Sequence, residues 1–205
     1  MRYLVNLTAK LQVPLFVPLQ EDGHSCVPRC IKMVFMYIGN CLGGRAPNLN
    51  IDEIGDIVET AIDGTLPEKV MNLNRNREVL KAIPSLEFDV DLRTHAFSEI
   101  EQEIESNRPV IAWVELADAR GLRKTVHAIV ITGLNRERHL IYYNDPMFGE
   151  REEDIGVFMS GWENVDRILV KIKIGQKEQR ILDEYVQKEN NSKEQSLEVG
   201  VVERH

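Results

Sequence analysis

No stretch of the chain approaches the ~20 consecutive apolar residues that cross a bilayer, and its start, Met-Arg-Tyr-Leu-Val-Asn, lacks the continuous apolar core of a signal peptide. These two absences predict a soluble, intracellular protein, cytoplasmic and without a membrane span. Cysteine is scarce as well: Cys26, Cys30 and Cys41 form no even disulfide framework, which agrees with a reducing compartment. Basic charge is in short supply. A formal net charge of -8 argues against a broad basic face, so no nucleic-acid partner is expected. What the chain does contain, 43% hydrophobic and 28% charged residues in a length of 205, suits a single globular domain with a real core.

The stretch from Gln20 to Gly39 organises the rest. Cys30, Met33, Val34, Tyr37 and Ile38 recur at helical spacing, and Phe35 and Met36 widen the apolar surface until little of the circumference is polar, which predicts a helix buried inside the domain. Asp22-Gly23 is a turn signal before it, Ser25 reads as the N-cap, Pro28 suits the first turn and Gly39 can end the helix in a left-handed conformation. Cys26 thereby falls at the helix N-terminus. Unsatisfied backbone N–H groups and the positive end of the macrodipole favour a thiolate there. Gln20 ends the apolar run Val13–Leu19, and its amide can donate to an oxyanion forming beside Cys26.

Downstream, Asn-Cys-Leu-Gly-Gly-Arg-Ala-Pro reads as a surface loop. Asn50 with Glu53 makes a capping box, followed by the helical stripe Ile51, Ile54, Ile57, Val58 and Ile62. A helix over about Arg75 to Ile83 is stopped by Pro84. Leu86, Phe88, Val90 and Leu92 alternate with charged residues as in a half-buried strand. Phe97, Ile100 and Ile104 mark a short acidic helix whose charges read as a solvated face. Val110–Val114 suits a central strand, and Arg120–Lys124 a polar connection. Thr125–Gly133 and His139–Pro146 then read as two strands of an antiparallel hairpin, with a turn between them and Pro146 stopping the second ladder.

In a hairpin the start of the first strand lies beside the end of the second, so His127 and Asp145 become neighbours. A cysteine nucleophile needs an imidazole to take and return its proton, and a carboxylate fixes that imidazole's tautomer and orientation. Cys26, His127 and Asp145 supply those three roles. His24, His95, His139 and His205 compete for the imidazole's part, but none opens an apolar strand whose hairpin partner ends in Asp-Pro. A metal set of His24, Cys26, Cys30 and Cys41 falls short of the two paired knuckles of a structural zinc site, so no metal or cofactor is expected.

At these residues the chain resembles the bacteriocin-processing-type (C39 and C39-like) cysteine peptidases of the papain-like fold. The resemblance rests on Gln20, Cys26-Val27-Pro28-Arg29-Cys30-Ile31-Lys32-Met33-Val34, Val126–Gly133, Tyr143-Asn144-Asp145-Pro146 and Phe158–Trp162 before a strand at Arg167–Ile174, and it spans about Val13 to Ile174. It implies an α+β domain over residues 1–174: a helical N-terminal part carrying Cys26 packed on an antiparallel β-sheet carrying His127 and Asp145, with the cleft between them. It also implies Cys26 as nucleophile, His127 as general base and acid, Asp145 as the orienting carboxylate and Gln20 as oxyanion donor. The implied activity is hydrolysis of a peptide or isopeptide bond in a peptide or protein substrate. An acyl transferase with the same triad and a catalytically silent peptide-binding module are the alternatives.

Two residues depart from the family pattern: Val27 stands where glycine is common, and Arg29 where a small residue is usual. The bulky Val27 either crowds the substrate's approach or turns toward the core. Family members fused to transporters cleave leader peptides after a double glycine, but this chain carries no transporter segment, so that substrate does not carry over. The charged stretch 175–205 reads as a tail, with Ile181, Leu182, Tyr185 and Val186 forming a turn or two of helix and Lys188–Ser196 disordered.

Overall fold

The computed structural model describes residues 8–117 and 124–202. The elements follow in order: β1 (Thr8–Lys10), α1 (Cys26–Cys41), α2 (Ile51–Ile57), a 3-10 helix (Pro67–Arg75), α3 (Arg77–Ala82), β2 (Glu87–Asp91), α4 (Phe97–Glu105), β3 (Val110–Ala117), β4 (Lys124–Asn135), β5 (Leu140–Asp145), β6 (Gly149–Asp154), α5 (Ile155–Glu163), β7 (Leu169–Lys173) and α6 (Gln176–Val202). The strands form one antiparallel sheet in the order β2-β7-β3-β4-β5-β6, and β1 pairs with the far end of β4. Mixed helix and antiparallel sheet is the α+β architecture the sequence predicts.

Helix α1 is the core of the molecule. Twelve of its sixteen residues are buried, and complete burial of a side chain such as Ile31, Val34 or Ile38 contributes about 1.5–3 kcal/mol. A capping hydrogen bond is worth about 1 kcal/mol, so packing rather than the cap holds this helix. Ser25 does occupy the N-cap position, but its side chain makes no capping bond; its hydroxyl donates to Asp22 instead. Gly39 does not end the helix. It lies within the last turns, where an added Cβ would come within 2.6 Å of the Ala46 side chain, so its role is close packing. The left-handed residues are Gly43 and Gly44, in the turn beyond Cys41.

The Asn50–Glu53 capping box forms as expected. Its helix is shorter than the apolar stripe implied: Ile54 and Val58 are buried, whereas Ile62 is exposed on a tight turn closed by the Ala61–Gly64 bridge. The helix read over about Arg75 to Ile83 forms as α3, preceded by the 3-10 helix that ends at Arg75, with the Asn76 side chain capping α3 through the N–H groups of Glu78 and Val79. On α4, Glu99 is not a solvated charge. It receives Arg93, Lys171 and the buried His95, and Glu101 pairs with Arg136.

The polar connection expected at Arg120–Lys124 lies, apart from Lys124 in β4, outside the described residues. The β4–β5 hairpin forms with Val130 opposite Asn144 and Ile131 opposite Tyr143, and an irregularity before Gly133. Gly133 is required by close approach: a Cβ there would sit 2.3 Å from the Ala9 carbonyl oxygen of β1. Finally, α6 runs as a helix through Lys188–Ser196, which composition reads as disordered. Leu182 is buried, Ile181, Tyr185 and Val186 pack on the core, and Gln179 and Asp183 bond to the Ser106–Arg108 turn.

Candidate active site

Three elements converge on one point. Helix α1 packs on β4, and the buried Cys30 thiol donates to the Ala128 carbonyl at 3.3 Å, which ties the helix's second turn to the strand residue next to His127. Cys26, one turn earlier, therefore meets His127 itself. Along the hairpin, the register that sets Val130 opposite Asn144 continues with Ile129 beside Asp145. His127 stands two residues further along β4 on the same face as Asp145, within diagonal cross-strand reach. The side chains close that gap: His127 Nε2 lies 3.0 Å from Asp145 Oδ1.

Each partner constrains the next. Asp145 Oδ1 also accepts the N–H groups of Met147 and Phe148 at 2.7 and 3.1 Å, so the turn after Pro146 fixes the carboxylate before it touches the imidazole. A carboxylate only accepts, so Nε2 carries a proton. Nδ1 is then the ring nitrogen left to serve the Cys26 sulfur, whose interaction with His127 raises the histidine and lowers the thiol. Burial works against the His127 cation, but hydrogen bonds and charge from Asp145 and then Cys26 outweigh it and raise its pKa from 6.5 to about 9. Burial likewise pushes the Cys26 thiol up; its hydrogen bond to His127, the imidazolium charge and the N–H groups of Ala128 and Val27 reverse this and leave it below its ordinary value. The arrangement favours a thiolate–imidazolium pair. Cys30 has no such help, and burial holds its thiol well above the ordinary range.

Gln20 lies close by, buried, on the loop that leads into α1. Its backbone N–H donates to the Pro146 carbonyl at 2.7 Å, so the loop is fastened to the residue after Asp145. Its side-chain Nε2 donates to the Asp22 carbonyl at 2.8 Å, and its Oε1 is buried without a partner among the described residues. One amide proton is thus engaged, and the other has only a 3.4 Å contact with Asp22 Oδ1. The backbone N–H of Cys26 itself, in the first turn of α1, has no intrahelical acceptor.

The departures from the family pattern find their explanation here. Val27 is fully buried in the core and also lines the cleft beside Cys26. Arg29 does not reach the cleft. Its Nε donates to Ser25 Oγ at 3.0 Å and its Nη1 to the Pro18 carbonyl at 2.6 Å. The competing histidines are engaged elsewhere: His95 between Glu99 and the Asp91 carbonyl, His139 with Asp154 and His24 with Asp22. His205 lies outside the described residues. Cys41 lies at the opposite end of α1 from Cys26, about 22 Å away at 1.5 Å per residue, so the four residues of the metal reading do not gather. Among the described residues no group of three His, Cys, Asp or Glu side chains could hold a metal ion.

A cleft of about 290 Å³ opens beside Cys26, lined among others by Gly23, Thr65, Leu66, Trp113, Val126 and Ile168. An added Cβ at Gly23 would meet nothing within 4 Å, so the approach to the sulfur is open on that side. No described helix is long and apolar enough to cross a membrane.

The fold agrees with that of a solved structure. A Bacillus anthracis protein assigned as a C39-like peptidase superposes with a TM-score of 0.59 at 12% identity, over 80% of this chain and 96% of its own. A double glycine motif protease from an AMS/PCAT transporter, solved in complex with the leader peptide, aligns at 15% identity over 82% of this chain and 95% of its own, with a TM-score of 0.49. Among curated proteins none matches. The model of the Peptidase_C39 like family matches residues 10–169, and the chain belongs to that family.

Proposed function

We propose that this protein is a cysteine peptidase that hydrolyses a peptide or isopeptide bond through a Cys26–His127–Asp145 triad and a thioester intermediate. One observation carries the reading: His127 stands between a thiol and a carboxylate with Nε2 committed to Asp145 and Nδ1 left to Cys26, at a helix N-terminus that opens on a cleft. The Cys26 thiolate attacks the scissile carbonyl carbon, and the carbonyl π electrons pass to oxygen. The N–H of Cys26 and the Gln20 amide stabilise that oxyanion. On collapse the C–N bond breaks, and the leaving amine takes its proton from His127 Nδ1. Water then loses a proton to Nδ1 and attacks the thioester, which releases the acid and restores the thiolate. Asp145 keeps the imidazole in the tautomer that both steps require.

The chemistry is assigned to residues 1–174, with no catalytic part for 175–205. A thiolate nucleophile and three free, buried cysteines suit a reducing, cytoplasmic compartment. The silent peptide-binding module draws on the engaged amide of Gln20. One experiment separates the two: a peptide library is incubated with wild type and with Cys26→Ala, and cleavage products and adducts are read by mass spectrometry. Cleavage by wild type alone, with an acyl adduct on Cys26 after acid quench, is expected; peptides retained uncut by both proteins overturn the enzyme reading.

A further inference from the structure

Arg29, one of the two residues that depart from the family pattern beside the nucleophile, closes a ring of hydrogen bonds around Gln20. Upstream, its Nη1 holds the Pro18 carbonyl at 2.6 Å, two residues before Gln20. Its guanidinium also lies over the Phe16 ring, 5.6 Å from the centroid, on the same loop. Downstream, its Nε donates to Ser25 Oγ at 3.0 Å, which turns that hydroxyl's proton toward Asp22 Oδ2 at 2.6 Å. Asp22 Oδ1 in turn accepts the N–H groups of His24 and Ser25 at 2.8 and 2.6 Å. Burial alone would raise the Asp22 carboxyl; the Ser25 hydroxyl and these two N–H groups hold it below the usual carboxylate range. That folded-back turn aims the Asp22 carbonyl at Gln20 Nε2, 2.8 Å away.

We propose that Arg29, acting through Pro18 on one side and Ser25 and Asp22 on the other, is a positioning residue that aims the Gln20 amide at the oxyanion of the reaction. The proposal rests on the assignment of Cys26 and Gln20 above. Arginine suits the task because its planar fork reaches two acceptors in fixed geometry, which a lysine ammonium cannot reproduce. The clamp also accounts for the amide's state. One Nε2 proton is fixed on a carbonyl that the network itself orients, and the second is held only by the long 3.4 Å bond to Asp22 Oδ1. Arg29 touches neither Cys26 nor His127 in this network, so its effect should fall on oxyanion stabilisation and leave the thiolate as it is.

Two reactions of the same sulfur separate those effects. A peptide aldehyde, acetyl-leucyl-leucyl-argininal, is attacked by the Cys26 sulfur; the C–S bond forms, the carbonyl π electrons move to oxygen, and the adduct depends on the oxyanion donors. Iodoacetamide is displaced at carbon with loss of iodide and forms no oxyanion. The test compares wild type, Arg29→Met and Gln20→Ala for aldehyde affinity, iodoacetamide rate against pH, and melting temperature. Arg29→Met is expected to weaken aldehyde binding about tenfold to a hundredfold, the range for a misplaced catalytic donor, with alkylation rate and its pH profile unchanged. Adding Arg29→Met to Gln20→Ala should weaken aldehyde binding no further, because both act through one amide. An unchanged aldehyde-to-alkylation ratio in Arg29→Met overturns the proposal. So does a parallel fall in both reactions with a lower melting temperature, which makes Arg29 a structural strap. If wild type itself does not alkylate at Cys26, the underlying active-site assignment has failed, and the proposal falls with it.

Discussion

Replacing Asp145 by Asn perturbs the triad with the least collateral damage. The Asn oxygen still accepts the Met147 and Phe148 N–H groups that shape the turn, whereas the negative charge facing His127 is lost. His127 is raised from 6.5 to about 9, and since each tenfold change in proton affinity is worth about 1.4 kcal/mol, its two partners together hold the imidazolium by roughly 3 kcal/mol. Asp145 stands first among the raising causes, so a large share of that, on the order of 2 kcal/mol, falls to it. The sign follows from linkage. A histidine whose folded pKa is raised contributes stability that is fully present below 6.5 and is lost as pH rises through the folded value. The comparison belongs in a Cys26→Ala background, which removes the thiolate's own titration. At pH 6, Asp145→Asn should melt about 3–8 °C lower, at about 2–4 °C per kcal/mol for a chain of this size. Above about pH 9 the difference should vanish. A destabilisation equal at both pH values would refute the argument, since it would mean Asp145 acts through the turn and not through His127.

Other substitutions separate the remaining roles. Cys26→Ala should abolish turnover while the fold persists, with the melting temperature lowered by a few degrees, because loss of the thiol opens little cavity but removes the sulfur's share in holding the His127 cation; product analysis and calorimetry on one sample check both. Gln20→Ala should lower kcat on the order of a hundredfold with KM largely kept, since its hydrogen bond is made mainly in the transition state; a change confined to KM would remove it from the oxyanion site. Cys30→Ala should cost about 1–2 kcal/mol in denaturant unfolding, through a small cavity and the lost bond to the Ala128 carbonyl, with turnover spared. Loss of activity in Cys30→Ala, with Cys26→Ala active, would exchange the nucleophile. Gly133→Ala should destabilise by more than about 1 kcal/mol, because its Cβ drives against the β1 backbone; unchanged stability would mean that β1 is easily displaced.

The site was legible because each part announces itself locally. Cys26 begins a run of apolar residues at helical spacing, and a helix start is a property of a few neighbouring residues. His127 and Asp145 occupy the two strands of one hairpin, so antiparallel pairing alone brings them together without any knowledge of the rest of the sheet. The features that stayed hidden depend on partners distant in the chain. Strand β6, Gly149–Asp154, is almost wholly charged and shows no apolar alternation; it is a strand because it pairs along β5 at the sheet's edge, where charged side chains stay in water. Strand β1 has three residues, too few for a period, and exists through its pairing with β4. The polar composition of Lys188–Ser196 points to disorder, yet the helical turns before it, with four apolar residues, find the core, and the helix continues from there. Ile62 misleads in the opposite sense: it continues a helical stripe in sequence, but the chain has already turned away after Val58. Arg29 shows the same limit at the site, since its two acceptors, the Pro18 carbonyl and the Ser25 hydroxyl, are fixed only once loop and helix have folded together.

The central claim is that His127 holds Cys26 as a thiolate, and the rate of Cys26 alkylation by iodoacetamide against pH, in wild type and in His127→Ala, tests it most directly. The wild-type rate should reach its plateau near neutrality, below the ~8.5 of a free thiol, because the Cys26 pKa is lowered by the imidazolium. In His127→Ala the midpoint should move upward past the free-thiol value, since burial then acts on the thiol with far less opposition. A wild-type profile with a single transition at the free-thiol value, or one unchanged by His127→Ala, would contradict the account.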